Sequence, residues 1–215
     1  MSGLAFILLI FLTFYLIWSF YRGYKKNIQL AKEISKNLET LFRPKDTSYV
    51  WLGGAIGFRA LYKPYEKNLR QILINLRLQP RQSIFYYLIK LLFFRALKDN
   101  IQLLYFLKNS IPFEFHTIKS FYNPKIFNKS LKKDREENFK FLYSNSLPPK
   151  LYENLKKLSI KLLKDSDIKH LAITPDRKVI YFEFDFNNLN DLKKNLEISQ
   201  KFLKEFLNLL KKSYS

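Results

Sequence analysis

The first pattern along the chain is an unbroken apolar stretch near its start. From Leu4 to Tyr21 the sequence reads LAFILLIFLTFYLIWSFY, eighteen residues without a charged side chain. A helix of this length spans about 27 Å, close to the hydrocarbon thickness of a bilayer. A helix is expected because lipid offers no partners for unpaired backbone groups. The stretch predicts a transmembrane anchor, whose representative residues are Leu4, Phe11, Trp18 and Tyr21.

Charged residues flank this stretch on one side only. Arg22, Lys25 and Lys26 follow it, whereas no charged side chain precedes it. Because basic residues favour the cytoplasmic side, we expect residues 1–26, the anchor and its basic flank, to leave the amino terminus outside and the rest in the cytoplasm. A cleaved signal peptide is the alternative, but the basic start and a small-residue cleavage site are missing. The expected location is the cell membrane of a prokaryote or the endoplasmic reticulum of a eukaryote.

An amphipathic helix is predicted directly after the anchor. Apolar residues recur there at three- and four-residue spacing: Ile28, Ala31, Ile34, Leu38 and Leu41. They give one face to a helix from about Asn27 to Phe42, which Pro44 ends. We expect this helix to continue the anchor. It defines a juxtamembrane segment, 27–48, ahead of a cytoplasmic domain, 49–215.

Three of the five glycines of the chain lie within Trp51–Gly57. Such a cluster marks backbone angles or close approaches that other residues disfavour. We interpret Gly53 and Gly54 as part of a turn ahead of a first strand at Phe58–Tyr62. A phosphate-binding loop would need a following helix with Lys and Ser or Thr, so nucleotide binding is rejected.

Alternation and helical spacing predict an α+β domain after the glycines. The predicted strands are 70–79, 101–107, 113–118, 168–174 and 180–186, the last two joined by a turn at 175–178. The predicted helices are 84–94, 151–162 and 192–210, the last of them long, amphipathic and rich in lysine. We expect antiparallel strands packed with helices on one side.

Residues 84–94 read IFYYLIKLLFF, with one charge and no polar face. The segment is too short to span a bilayer. It is either a core helix capped by Ser83, or an apolar surface for the membrane or another membrane protein. The preceding Arg81–Gln82 pair belongs either to the capped turn or to a partner contact. The candidate partner-contacting residues are Arg81, Gln82, Phe85, Tyr87 and Phe93.

Net charge adds a second candidate function. The formal charge is +20, and all of it lies after the apolar stretch. Such a surface attracts ribosomes, nucleic acid or anionic lipid, although an AT-rich genome would also enrich lysine. A polar loop is predicted at 123–138, and its candidate ribosome or polyanion contacts are Lys125, Lys129, Lys132, Lys133 and Arg135. No base-reading module is recognisable, so sequence-specific nucleic acid is not an expected partner.

Candidate catalytic chemistry is sparse. There are no cysteines, which excludes disulfides and thiolate metal sites. There are only two histidines, so a histidine-rich metal site is not expected. Glu183 and Asp185 share one face of a predicted strand, and His170 in the preceding strand could lie opposite them. We interpret this group as a solvated strand face and not as a metal site. Other titratable residues are interpreted as surface groups: His116 on a strand, and Asp134, Glu136 and Glu137 at a helix start.

The order of these features resembles the calumin family, single-pass subunits of the PAT complex at the translocon. The resemblance rests on three segments: the helix from Leu30-Ala31-Lys32 to Leu41-Phe42, the run Leu76-Arg77-Leu78-Gln79-Pro80-Arg81-Gln82-Ser83-Ile84, and Ile180-Tyr181-Phe182-Glu183-Phe184 ahead of a lysine-rich helix. An acidic segment outside the membrane and a terminal coiled coil of that family have no counterpart here. The sequence therefore resembles a reduced, archaeal-type relative.

The resemblance implies a binding role. It predicts a non-enzymatic factor that assists membrane-protein insertion or biogenesis by docking on the ribosome and on translocon or insertase components. The alternative is a membrane-surface scaffold that binds anionic lipid, and an enzyme of unknown class ranks behind both. No cofactor, metal or small-molecule substrate is expected.

Overall fold

A long helix opens the structure, a computed structural model that describes residues 3–83, 86, 98–124 and 130–214. Helix α1 runs without a break over Gly3–Phe42, which is 40 residues. This confirms that the apolar stretch and the amphipathic helix form one element. Within the described ranges, α1 is the one helix whose length and apolar composition would allow it to cross a membrane. No residue of its apolar window is buried.

The second half of α1 packs on the rest of the chain. Its buried residues recur at three- and four-residue spacing: Gly23, Asn27, Ala31, Ile34 and Leu38. The helix ends at Phe42, where Arg43 takes a positive φ of 41° and Pro44 follows. The exposed apolar half and the docked half therefore meet near Gly23.

One antiparallel sheet of nine strands forms the centre of the described domain. The strands are β1 Asp46–Trp51, β2 Gly57–Lys63, β3 Leu69–Arg77, β4 Asp99–Leu107, β5 Phe115–Lys119, β6 Lys132–Glu136, β7 Phe139–Tyr143, β8 Ile168–Thr174 and β9 Val179–Phe186. Their order across the sheet is β1-β2-β3-β4-β9-β8-β5-β7-β6. The sheet begins at Asp46, ahead of the expected domain boundary at residue 49.

Helices cover one face of this sheet. They are the docked half of α1, helix α2 at Pro149–Leu163 and helix α3 at Leu189–Tyr214. Edge-to-face aromatic contacts join the two layers: Phe42 with Tyr62 and Tyr105, Phe182 with Phe202, and Phe115 with Tyr152. The expected α+β class, with antiparallel strands and helices on one side, is confirmed.

The β8–β9 hairpin is the element that the sequence pattern described best. Buried and half-buried residues alternate along β9, with Phe182 and Phe184 fully buried and Glu183 half-buried between them. The turn closes with a positive φ at Lys178. Because one face of β9 meets α3 and the other does not, alternation is strong and the register is fixed.

Both edges of the sheet were missed by the sequence pattern. The glycine turn does not precede a first strand, because β1 lies before it and pairs with β2. At the other edge, the expected loop at 123–138 contains β6, which pairs with β7. Edge strands bury little, so their side chains show no apolar alternation. Lys132, Lys133 and Arg135 lie exposed on β6.

The acidic residues of β6 form an ion-pair cluster and not the start of a helix, which corrects that prediction. Lys156 of α2 donates to Asp134 and lies 2.6 Å from Glu136, and its ammonium is also near the rings of Phe141 and Tyr152. Glu137 pairs with Lys164 at 3.4 Å. Hydrogen bonds from Lys156 and Tyr152 lower the pKa of Asp134 to about 2. These contacts fasten the edge strand to α2.

Candidate functional site at the anchor–domain junction

Helix α1 makes a close backbone contact with the sheet domain at Gly23, where its exposed and docked halves meet. A Cβ added at Gly23 would lie 2.2 Å from the carbonyl oxygen of Arg81 and 2.6 Å from the amide nitrogen of Gln82. Only glycine allows the helix to approach this turn so closely. The contact begins one residue after Arg22, where the apolar half of α1 ends.

A buried polar network continues the contact one helical turn further along α1. Asn27 is fully buried, and its Nδ2 donates to the carbonyl oxygen of Gln79 at 2.8 Å. Arg81 Nη1 donates to Asn27 Oδ1 at 2.9 Å. Arg81 also makes a bidentate pair with Asp99, whose side chain is 1% exposed, at 3.0 and 2.6 Å. The Gln79 amide donates to the same carboxylate at 2.8 Å, so helix, turn and β4 are interlocked.

The β1–β2 turn is attached to the same network. Gln82 Nε2 donates to the carbonyl oxygen of Gly54 at 2.6 Å. Gly53, Gly54 and Ala55 all have positive φ, which explains the glycines of this turn. We call the set Gly23, Asn27, Gln79, Arg81, Gln82, Asp99 and Gly54 the junction.

The face of the sheet opposite the helices carries a second polar group. Glu183 accepts hydrogen bonds from the hydroxyls of Tyr122 and Tyr181, at 2.9 and 2.7 Å. Asp185 pairs with Lys169 at 2.5 Å. Burial and the neighbouring Glu183 raise the pKa of Tyr122 to about 12, so its hydroxyl remains a donor at neutral pH. Hydrogen bonds and an ion pair with neighbouring side chains therefore account for the carboxylates of Glu183 and Asp185.

His170 lies opposite Glu183 in the β8–β9 register, as the sequence suggested, but His116 is not a surface residue. His116 is buried against His170, with 3.1 Å between Nδ1 and Nε2, and its Nε2 lies 2.8 Å from Glu114 Oε1. The sequence around His116 has no apolar alternation, because β5 is buried on both faces, so the pattern did not indicate that His116 is buried. Among the described residues no three His, Asp or Glu side chains converge in a way that could hold a metal ion.

Acidification is expected to destabilise the fold through this histidine pair. Burial, and then the adjacent His116, lowers the pKa of His170 from its ordinary 6.5 to about 3, and burial also lowers the pKa of His116. Below pH 6.5 the unfolded chain therefore binds protons that the folded chain does not. Through His170, stability should fall as pH falls from 6.5 towards 3, by at most about 1.4 kcal/mol per pH unit, and the lowered pKa of His116 acts in the same direction.

This pH dependence is measured by denaturant unfolding of the full chain in mild detergent between pH 7 and about 4.5, above the range in which Asp134 titrates. His170→Gln removes one of the two titrations, so its unfolding free energy should vary less steeply with pH. An equal slope in both proteins would show that the histidine pair does not carry the effect.

A basic helical surface lies on the outer side of α2 and α3. Its exposed lysines are Lys157, Lys161, Lys193, Lys194, Lys201 and Lys204. Between the helices is an open groove of about 530 Å³, lined by Asn154, Lys157, Leu158, Lys161, Glu205, Asn208 and Leu209. Extended clusters of lysine favour contact with polyanions.

The structure divides the sequence-derived candidates into three groups. Arg81 and Gln82 lie in the junction, and contacts within the chain account for both side chains. Lys132, Lys133 and Arg135 are exposed on β6. The remaining candidates lie outside the described residues: Phe85, Tyr87, Phe93, Lys125 and Lys129.

Three junction residues were not found from the sequence: Gly23, Asn27 and Asp99. Asn27 carried a usable signal, because it is a polar residue on the same helix face as Ala31 and Leu38. A buried amide at such a position needs partners elsewhere in the fold. Comparison with known proteins adds no further evidence on the site: no protein-family model matches the chain, and no curated protein matches it.

Proposed function

We propose that this protein is a non-enzymatic factor that holds a basic docking domain at a fixed position beside the membrane. The apolar half of α1 spans the bilayer, with the amino terminus outside and the sheet domain in the cytoplasm. The observation that carries the proposal is the junction, which joins anchor and domain without a flexible link. A simple tether needs only a linker, whereas a fixed junction controls which surfaces face a partner.

The proposed partners are the ribosome and translocon or insertase components, during membrane-protein insertion or biogenesis. The basic helical surface supports a polyanionic partner, since ribosomal RNA presents a dense array of phosphates. The basic flank Arg22, Lys25 and Lys26 supports a cytoplasmic position for this surface, the side where ribosomes are found. The resemblance to the calumin family favours the same role.

Charge reversal on the groove tests this proposal. Lys157→Glu with Lys161→Glu reverses two exposed lysines that line it. Lys67→Glu with Lys108→Glu makes the same change in net charge at exposed positions of two strand connections. The full chain in mild detergent is titrated with ribosomes at several salt concentrations. We expect the groove variant to lose affinity roughly tenfold or more and to show a shallower salt dependence, because phosphate contacts release counterions.

The matched variant should retain most of the affinity. Equal losses in both variants would show that net charge alone drives association, and absence of ribosome binding by the unmodified chain at physiological salt would contradict the proposed partner.

A further inference from the structure

Exposed large apolar side chains of the described domain concentrate on one hairpin. Beyond α1 they are Val50, Trp51, Ile56, Tyr65 and Phe121. Three of them flank the β1–β2 turn: Val50 is 59% exposed, Trp51 51% and Ile56 37%. Single exposed apolar residues are ordinary, but a group of them around one turn indicates an interaction surface.

Hydrogen bonds hold this turn in a defined conformation at the end of the β1–β2 hairpin, where Val50 and Trp51 point to opposite faces of β1. The Leu52 amide donates to the Gly57 carbonyl, and the Ile56 amide donates to the Gly53 carbonyl, both at 3.1 Å. The Leu78 amide donates to the Ile56 carbonyl at 2.7 Å, which fastens the turn to the chain beyond β3. A Cβ at Gly57 would lie 2.0 Å from the carbonyl oxygen of Leu76, so the two strands pack closely at this end.

The turn also lies level with the end of the apolar half of α1. Gln82 connects the two, because its amide nitrogen contacts Gly23 and its side chain bonds the Gly54 carbonyl. Among the described residues, only Gln82 therefore lies between the turn and Gly23, the residue directly after Arg22. Any bilayer crossed by Leu4–Tyr21 has its boundary at this level.

We propose that the β1–β2 tip, Val50–Ile56, is a second membrane contact that lies in the headgroup–acyl boundary beside α1. Tryptophan and apolar side chains favour this zone, because it accepts an apolar body together with a polar edge. Arg22, Lys25 and Lys26 on α1, and Arg77 opposite Gly57, place positive charge near the same level, where anionic headgroups attract it.

Lipid is the occupant because the tip lies beside the end of the apolar, membrane-length part of α1, with Gln82 between the turn and Gly23. A single spanning helix leaves its domain free to rotate about the helix axis. A second contact at the tip fixes that rotation and therefore the direction in which the basic helical surface points. The inference rests on membrane anchorage in the proposed function, and it does not depend on the identity of the docking partner.

Tryptophan fluorescence tests the proposal, since the chain has two tryptophans, Trp18 and Trp51. In Trp18→Phe, Trp51 is the sole reporter. The full chain is reconstituted in vesicles of phosphatidylcholine with a minority of phosphatidylglycerol, which contain lipid brominated either high or low on the acyl chain. We expect blue-shifted emission, stronger quenching by the high bromine, and a depth of roughly 5–10 Å at the boundary.

The matched control moves the reporter to the far end of the same hairpin. In Trp18→Phe/Trp51→Phe/Tyr65→Trp, the reporter occupies an exposed position that follows the other end of β2. It should be quenched by aqueous acrylamide and not by brominated lipid. A Trp51→Phe variant, which retains Trp18, should be quenched within the bilayer and so reports on the anchor separately.

Two outcomes would overturn the proposal while the Trp18 reporter shows an inserted anchor. Trp51 could be as accessible to acrylamide as the reporter at position 65, which would place the tip in water. Alternatively, Trp51 could be protected from acrylamide without quenching by either brominated lipid, which would place it against protein.

Discussion

Replacing Arg81 by methionine is expected to lower the free energy of unfolding by about 3–5 kcal/mol, because it leaves a buried carboxylate without its partner. The side chain of Asp99 is 1% exposed, and its carboxylate accepts two hydrogen bonds from the Arg81 guanidinium. Methionine retains much of the side-chain volume, so the loss measures charge and hydrogen bonding more than packing. Denaturant unfolding of the full chain in mild detergent, followed by near-ultraviolet circular dichroism, measures the change.

The ion pair between Lys63 and Asp46 is the matched control for this variant. It has a similar separation of 2.8 Å, but its side chains are 67% and 60% exposed. Lys63→Met should change stability little, because solvent screens exposed pairs. If Arg81→Met were equally mild, Asp99 would have to be accessible to water, and the junction would not be the closed contact described above.

Replacing Gly23 by alanine is expected to destabilise the docked helix, although alanine is the better helix former. The added Cβ would lie 2.2 Å from a backbone oxygen, so either α1 or the turn must move. Overpacking of this kind costs about 1–3 kcal/mol, more than the roughly 1 kcal/mol that alanine gains in helix propensity. Unfolding measurements and hydrogen exchange at residues 78–83 should both report the loss.

Gly3→Ala provides the comparison within the same helix, because nothing lies within 4 Å of its added Cβ. It should leave stability unchanged or slightly raised. A gain in stability for Gly23→Ala as well would mean that propensity decides both positions and that helix and turn are not in contact.

The parts of the fold with strong periodicity were accessible from the sequence. The apolar stretch and the spacing of Ala31, Ile34 and Leu38 described α1, and the alternation in Val179–Phe186 described β9. In the docked half of α1 and in β9, one side of the element faces the core and the other does not, whereas the apolar stretch of α1 is apolar on every side. Burial of one side therefore produces a regular spacing of apolar residues, and this spacing can be recognised from the sequence alone.

The parts that depend on distant residues were not accessible. β1 and β6 are edge strands that bury little, so pairing with a neighbour and not apolar alternation defines them. Asp99 joins Arg81 only after β4 is placed beside β3, and His116 meets His170 only when β5 pairs with β8. Local sequence carries no record of these contacts, although a polar residue such as Asn27 on an apolar helix face indicates that a partner exists.

A fixed connection between anchor and domain has a direct spectroscopic consequence. The chain has no cysteine, so the double variant Tyr15→Cys/Tyr65→Cys can be spin-labelled at these two positions alone. Both positions are exposed, and Tyr65 lies beside Lys45 near the end of α1. In lipid vesicles, electron–electron distance measurement should give one narrow distribution centred at roughly 40 Å, the helical rise from residue 15 to residue 42. A broad or multiple distribution would contradict a rigid junction and, with it, the proposed fixed docking domain.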